Sequence, residues 1–272
     1  MIVVISDIHL GYDKSDREQF DKFIDSELSQ LSQADHLVIL GDLLDFWRRK
    51  NAVAAVENET ILDKLCKLTK KTNVCYLVGN HDYSILDFHK QFEYFYPFKV
   101  SKSLRILHEN KNKFYFIHGY ELEVLTQFTF LTIGDYERIC ENLCQRTDNF
   151  FGGIMSSLYN DLKIGLQIGE ERLNAIHFIT KPPEKRKGFE TVEDLAMAQT
   201  PRRIFLGMEE DEYLVFGHTH RPFLAGNNKV VNSGSWVKDS AIHNTYVVID
   251  KDEIMLKQWN NSQIKDISVC KM

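Results

Sequence analysis

The 272-residue chain has no stretch approaching the roughly 20 consecutive apolar residues that a membrane-crossing helix needs. A spanning protein is thereby excluded, while peripheral contact of an amphipathic surface with a membrane stays open. No basic leader with an apolar core precedes the first strand-like run, Ile2 to Ile5, so a cytoplasmic rather than exported protein is expected. Cysteines number five, an odd count, and none forms a Cys-x-x-Cys pair, which argues against a disulfide framework or a zinc ribbon. Cys140 and Cys144 lie four apart in a helix-like stretch and are expected to pack as small buried hydrophobes. An excess of positive charge is also missing: Lys and Arg total 33 against 39 Asp and Glu, a net charge of -6. Such a chain does not offer the broad cationic surface that coats nucleic acid, although local cations can still hold a small phosphate ligand. There is no fixed-period repeat and no low-complexity tail. What is present, 43% hydrophobic and 26% charged residues, suits one globular domain with a large core and room for an insertion.

Short apolar runs rich in β-branched and aromatic residues recur, and five of them end alike. Ile2 to Ile5 runs into Ser6-Asp7-Ile8-His9, and His36 to Leu40 into Gly41-Asp42. Val74 to Val78 leads to Gly79-Asn80-His81-Asp82, Phe114 to Ile117 to His118-Gly119, and Tyr213 to Phe216 to Gly217-His218-Thr219-His220. Five candidate strands thus deliver ligand-type side chains at their C-terminal ends, where sheets with crossover connections place binding sites. Helical spacing of apolar residues predicts helices over Ser15 to Leu31 and Ala52 to Lys70, so the first half reads βαβαβ. After His118 about a hundred residues pass before the next such unit, too long for a simple connection. A helical insertion over residues 120–205 is therefore expected within a single domain of residues 1–272. It contains a helix-like Asp135 to Cys144 and, near its end, the exposed basic loop Lys181 to Lys187. The tail returns to β at Lys229 to Val231, Thr245 to Ile249 and Glu253 to Gln258, with Gly226-Asn227-Asn228 as a turn.

Asp7, His9, Asp42, Asn80, His118, His218 and His220 form a set of carboxylate, amide and imidazole donors suited to Mn, Fe, Zn, Co or Ni rather than to calcium alone. Seven ligands are too many for one ion. Two ions roughly 3.5 to 4 Å apart, sharing a bridging carboxylate and water, would use them all and clamp both oxygens of a phosphoryl displacement. Each motif alone also has a bland reading, since Gly-Asp and Gly-Asn are ordinary turn chemistry and one histidine is easily a core residue. Together at five strand ends they point to a metal site.

In this order Asp-x-His, Gly-Asp-x-x-Asp, Gly-Asn-His-Asp, His-Gly and Gly-His-Thr-His, extended by the Asn232-Ser233-Gly234-Ser235-Trp236 turn, resemble the calcineurin-like metallophosphoesterase superfamily. The resemblance implies an α/β, four-layer αββα sandwich. It implies that Asp7, His9 and His220 hold a first ion, that Asn80, His118 and His218 hold a second, and that Asp42 bridges them. Manganese is the foremost expectation for both. It further implies that a metal-bridging hydroxide attacks phosphorus, that His81 stabilises the transition state or protonates the leaving oxygen, and that Asp82 orients the His81 ring. Asp45, Trp47 and Arg48 extend the second motif and, with Arg221, are candidates for contacting substrate, against the reading of Arg48, Arg49 and Lys50 as a solvated charge cluster.

Ser-Asp-x-His-Leu-Gly, Gly-Asp-Leu-x-Asp-x-Trp and Gly-His-Thr-His-Arg-Pro, with the long insertion, are most similar to the UDP-2,3-diacylglucosamine hydrolase branch. This implies a pyrophosphate or phosphate ester in a nucleotide-linked or lipid-precursor substrate, with the insertion as a lid. Phe128, Phe130, Phe150, Phe151 and Met155 then serve as acyl-chain walls or, on the bland reading, as the core of a helical hairpin. The chain departs from that branch at His81, where the branch carries arginine. A general phosphodiesterase, a metal-dependent DNA nuclease and a non-catalytic scaffold are the alternatives; the acidic charge argues against the nuclease and the complete ligand set against the scaffold.

Overall fold

The computed structural model describes residues 1–91, 98–128, 131–145 and 189–272. In chain order its strands are β1 (Ile2–Ile5), β2 (His36–Leu40), β3 (Asn73–Leu77), β4 (Lys99–Ser101), β5 (Ser103–Leu107) and β6 (Lys113–Ile117). They continue with β7 (Glu212–Phe216), β8 (Phe223–Ala225), β9 (Val230–Asn232), β10 (Thr245–Asp250), β11 (Glu253–Asn260) and β12 (Gln263–Lys271). The helices are α1 (Arg17–Ser26), α2 (Asn51–Glu57), α3 (Glu59–Leu68), α4 (Ile85–Gln91), α5 (Tyr120–Gln127), α6 (Ile133–Gln145), α7 (Val192–Met197) and α8 (Gln199–Leu206). Among the described residues no helix is long and apolar enough to cross a membrane.

Two sheets result. One has seven strands in the order β12-β11-β10-β1-β2-β3-β4, with β1 to β4 parallel and the β10 side antiparallel. The other has five, β5-β6-β7-β9-β8, with β6, β7 and β9 parallel. Strand alternation sorts side chains into layers, because successive residues point to opposite faces. Ile2 and Val4, Val38 and Leu40, Phe114 and Phe116, and Tyr213 and Val215 meet between the sheets. Their neighbours Val3, Ile5, Leu37 and Ile39 face the other way, against α1 and α3 through Phe20, Phe23, Ile61 and Leu65. On the far side Tyr115, Ile117, Leu214 and Phe216 pack against Leu122 of α5 and Val192, Leu195 and Ala196 of α7. This is the expected αββα sandwich. Helix α5 straddles two layers, since its Tyr120 and Val124 join the first cluster while Leu122 joins the last.

The expected helix over Ala52 to Lys70 is two helices, α2 and α3. Asn58 separates them, its side-chain amide donating to the Ala54 carbonyl at 2.8 Å and drawing the chain out of register with a continuous helix. Strands β4, β5, β8 and β12 lie outside the sequence reading: β4 and β8 have three residues each, β5 has no fully buried residue, and β12 is largely exposed. Cys140 and Cys144 are buried on α6, and the Cys144 thiol lies 3.3 Å from the His81 carbonyl. Phe128 is core, its ring 5.8 Å from that of Tyr136. Phe130, Phe150, Phe151, Met155 and the Lys181 to Lys187 loop lie outside the described residues.

Candidate metal centre

All five ligand-bearing segments emerge at the C-terminal ends of β1, β2, β3, β6 and β7, so the parallel strands gather them at one rim of the sandwich. The backbone there is tightly cross-stitched: Asp7 N–H donates to Gly41 O at 3.1 Å, His9 N–H to Asp42 O at 2.8 Å, and Gly217 N–H to His118 O at 2.8 Å. Asp7, His9, Asp42, His218 and His220 all have φ between 51° and 69°. That left-handed conformation is uncommon for residues with a β-carbon and persists where the surroundings over-determine it, as at binding sites. The glycines are equally constrained. A β-carbon on Gly79 would meet Asp42 Oδ1 at 2.1 Å, and one on Gly41, at φ +86°, would meet Gly79 N at 2.4 Å.

Around this rim Asp7, His9 and His220 each present a ligand atom within mutual reach, as do Asp7, Asp42 and His118. His9 Nε2 faces His220 Nε2 at 3.2 Å, and His118 Nε2 lies 3.0 Å from Asn80 Oδ1 and 3.2 Å from His218 Nδ1. Asp42 Oδ2 is 3.6 Å from His9 Nε2 and 3.4 Å from His118 Nε2, so it stands between the two groups. All seven sequence-derived ligands are therefore brought together. Asp7 Oδ1 is buried without a hydrogen-bond partner among the described residues, with His220 Nε2 at 3.5 Å. Imidazole nitrogens converging on an orphaned carboxylate oxygen fit a cation better than a proton network.

Electrostatics agree. Burial pulls the His9 pKa down, but Asp45, Asp7 and Asp42 outweigh it and hold the ring up at about 10. His118 is likewise held up at about 10, Asp42 and Asp7 overcoming the cost of burial. Asp7 and Asp45 stay well below the usual carboxylate range despite burial, because imidazoles surround them. Concentrated carboxylate charge of this kind is what a cation would neutralise.

Two expectations need correction. Asp82 does not contact the His81 ring. Its carboxylate accepts from the Gly79 and Leu43 N–H groups at 2.7 and 2.8 Å and from the Tyr76 hydroxyl, tying the second and third motif loops together. The carboxylate at His81 Nδ1 is Asp45, at 3.1 Å, which also holds His9 Nδ1 at 3.1 Å and the Arg48 guanidinium. Asp45 and Trp47 are consequently buried rather than facing substrate; the Trp47 ring stacks on His81 with centroids 4.1 Å apart. Arg48 and Arg221 do line, with His9, Asp42, Asn80 and His81, a cavity of about 450 Å3. Sequence reasoning missed Glu123, whose carboxylate lies 2.9 Å from His218 Nε2, and Asp239, 2.6 Å from His220 Nδ1. Neither sits in a motif; the one signal for Glu123 is its place on the helix that follows His118-Gly119.

The model of the calcineurin-like phosphoesterase family matches residues 1–222. The chain belongs to that family. It is thus a metal-dependent phosphoester hydrolase of calcineurin-like type. A UDP-2,3-diacylglucosamine hydrolase from Shewanella sp. strain W3-18-1 is 26% identical over 244 residues, 88% of this chain and 90% of its own. One from Histophilus somni strain 2336 is 34% identical over 82 residues, 30% of this chain and 34% of its own. Among solved structures, a dimetal phosphatase from Danio rerio aligns over 98% of both chains with 10% identity and a TM-score of 0.49.

Proposed function

We propose that this phosphoesterase hydrolyses a phosphate ester or pyrophosphate bond in a small phosphorylated or nucleotide-linked substrate, using two divalent cations, manganese foremost. Asp7, His9 and His220 would hold one, Asn80, His118 and His218 the other, with Asp42 between them. The observation that carries this reading is the pair of imidazole contacts at 3.2 Å, His9 with His220 and His118 with His218, flanking Asp42. When bound, the cations supply an acidified water as nucleophile and positive charge against the phosphoryl oxygens.

The chain's own groups do the rest. Burial lowers the His81 pKa, while Asp45, accepting from Nδ1–H, and Asp42 favour the doubly protonated ring, which as an imidazolium would donate from Nε2 to the departing oxygen. Trp47 stacked on the ring and the Asp42 carboxylate accepting from the His81 N–H at 2.8 Å fix its position. Arg48, also set 4.3 Å over the Tyr12 ring, and Arg221 supply cations at the cavity for phosphate oxygens. The likeness to UDP-2,3-diacylglucosamine hydrolases over most of both chains makes a UDP-sugar or lipid precursor the first substrate class to test; of the span 120–205 expected to cover it, residues 129–130 and 146–188 lie outside the described residues.

The test is a Mn2+-supplemented panel of p-nitrophenyl phosphate, its bis-ester, UDP-sugars with and without acyl chains, and single-stranded DNA, with Asp42→Ala as control. Elemental analysis of the same protein should find two metal equivalents. Turnover of the acylated UDP-sugar that the control abolishes is expected; turnover of DNA alone would overturn the substrate reading, and one metal equivalent the dinuclear one.

A further inference from the structure

Each of the four ligand histidines has its other ring nitrogen held, but not by the same kind of group. In the first ligand group His9 Nδ1 faces Asp45 at 3.1 Å and His220 Nδ1 faces Asp239 at 2.6 Å, so a carboxylate stands behind both rings. In the second, His118 Nδ1 faces the Leu40 carbonyl at 2.5 Å, while His218 Nε2 lies 2.9 Å from Glu123 Oε2. Asn80 is an uncharged donor and His118 rests on an uncharged carbonyl, so the charge behind this group comes from Glu123.

The fold sets Glu123 there. Helix α5 begins directly after His118 and Gly119, and a β-carbon on Gly119, at φ +125°, would meet His218 Cβ at 3.1 Å, so the start of the helix lies against His218. One turn on, the Glu123 carboxylate reaches the far side of the same imidazole. Glu123 is 4% exposed, and a buried carboxylate keeps its charge only where partners hold it. Besides His218, the Tyr136 hydroxyl of α6 lies 3.5 Å from that oxygen. Asp239, the counterpart behind His220, is exposed. With Nε2–H donating to Glu123, His218 presents the Nδ1 lone pair on the side of His118 Nε2, 3.2 Å away. An outer carboxylate of this kind fixes the ring's orientation and tautomer and strengthens it as a ligand.

We propose that Glu123 is a positioning residue for one ion of the pair: by holding His218 it sets the affinity of the Asn80, His118 and His218 site and leaves that of the Asp7, His9 and His220 site alone. The proposal rests on the dinuclear reading of the centre. It is tested by titrating the metal-free full chain with Mn2+, followed by calorimetry and by electron paramagnetic resonance, which tells a spin-coupled pair from a lone ion. The unaltered protein should bind two ions. In Glu123→Leu one of them should bind about 10- to 100-fold more weakly and the other as before, so that the coupled-pair spectrum gives way to that of a lone ion. Glu123→Gln, which keeps the size and an acceptor but loses the charge, should weaken the same ion about tenfold and decides the matter where the leucine variant does not fold. In a His218→Ala background, where no ring remains for Glu123 to hold, Glu123→Leu should leave binding of the remaining ion unchanged. Equal weakening of both ions, unchanged binding in both variants, or a further loss in the His218→Ala background would overturn the proposal. A single Mn2+ in the unaltered protein defeats the dinuclear reading and the proposal with it; two ions, neither sensitive to Glu123, defeat the proposal alone.

Discussion

Between the sheets, Ile2, Val4, Phe114, Phe116 and Val215 fill the interior with extended backbone and apolar side chains. At the rim of the same strands, the buried Asp7, His9 and Asp42 and the half-buried His218 and His220 sit at positive φ with their polar groups crowded on one another. The first region adds stability with every residue, on the order of 2 kcal/mol for each large side chain buried. The second draws on it, since each strained backbone costs on the order of 1 kcal/mol and buried carboxylates and imidazoles must be desolvated. One set of strands serves both regions because the hydrophobic run stops where the loop begins. Rigid, well-packed strands are what hold such a rim in place.

If that division is sound, damage at the rim and damage in the middle should be separable. Asp42→Ala should lower hydrolysis of whichever substrate proves best by about 1000-fold or more, about 4 kcal/mol in the transition state, since Asp42 stands between both ligand groups. Comparable activity in that variant would place the chemistry elsewhere. Phe116→Ala should show the opposite profile, losing about 3 kcal/mol of stability in urea unfolding while the folded fraction keeps its KM. A Phe116→Ala protein that lost activity without losing stability would break the comparison.

Asp45→Asn should have a smaller effect, reducing kcat about 10- to 100-fold, because it changes the groups that face His9 and His81 without removing either ring. The finest test is pH. His9 and His118 have folded pKa values of about 10 against 6.5 unfolded, so the stability they contribute to metal-free protein is full below pH 6.5 and is lost as pH rises towards 10. Bound metal needs the same rings unprotonated, so apparent Mn2+ affinity should climb across that window as thermal stability without metal declines. Parallel trends in the two measurements would show that these imidazoles are not metal ligands.

Much of this was legible in the chain. The five strand-end units were readable because strand and ligand are adjacent in sequence, whereas the layered sandwich was implied by the family resemblance, the near-continuous apolar runs of β1, β2, β6 and β7 not marking one face from the other. Helices α1 and α6 were visible in their periodic apolar residues, whereas the break at Asn58 depended on one side chain competing for a backbone carbonyl. Strand β12 escaped notice because its residues are mostly exposed and carry no core pattern.

The division between Asp45 and Asp82 marks the limit. By itself the sequence determined which donor groups exist, and that they collect at the C-terminal ends of parallel strands, since both follow from local order and strand polarity. Which carboxylate meets which imidazole was decided only by the tertiary structure. Asp82 is the immediate neighbour of His81 in the chain yet turns back to bind loop amides, while Asp45, 36 residues away, reaches the ring. Glu123 and Asp239 find His218 and His220 across 95 and 19 residues in the same way. Such contacts arise from how loops pack against one another once the sheets have formed, a relation among distant segments that residue spacing does not encode.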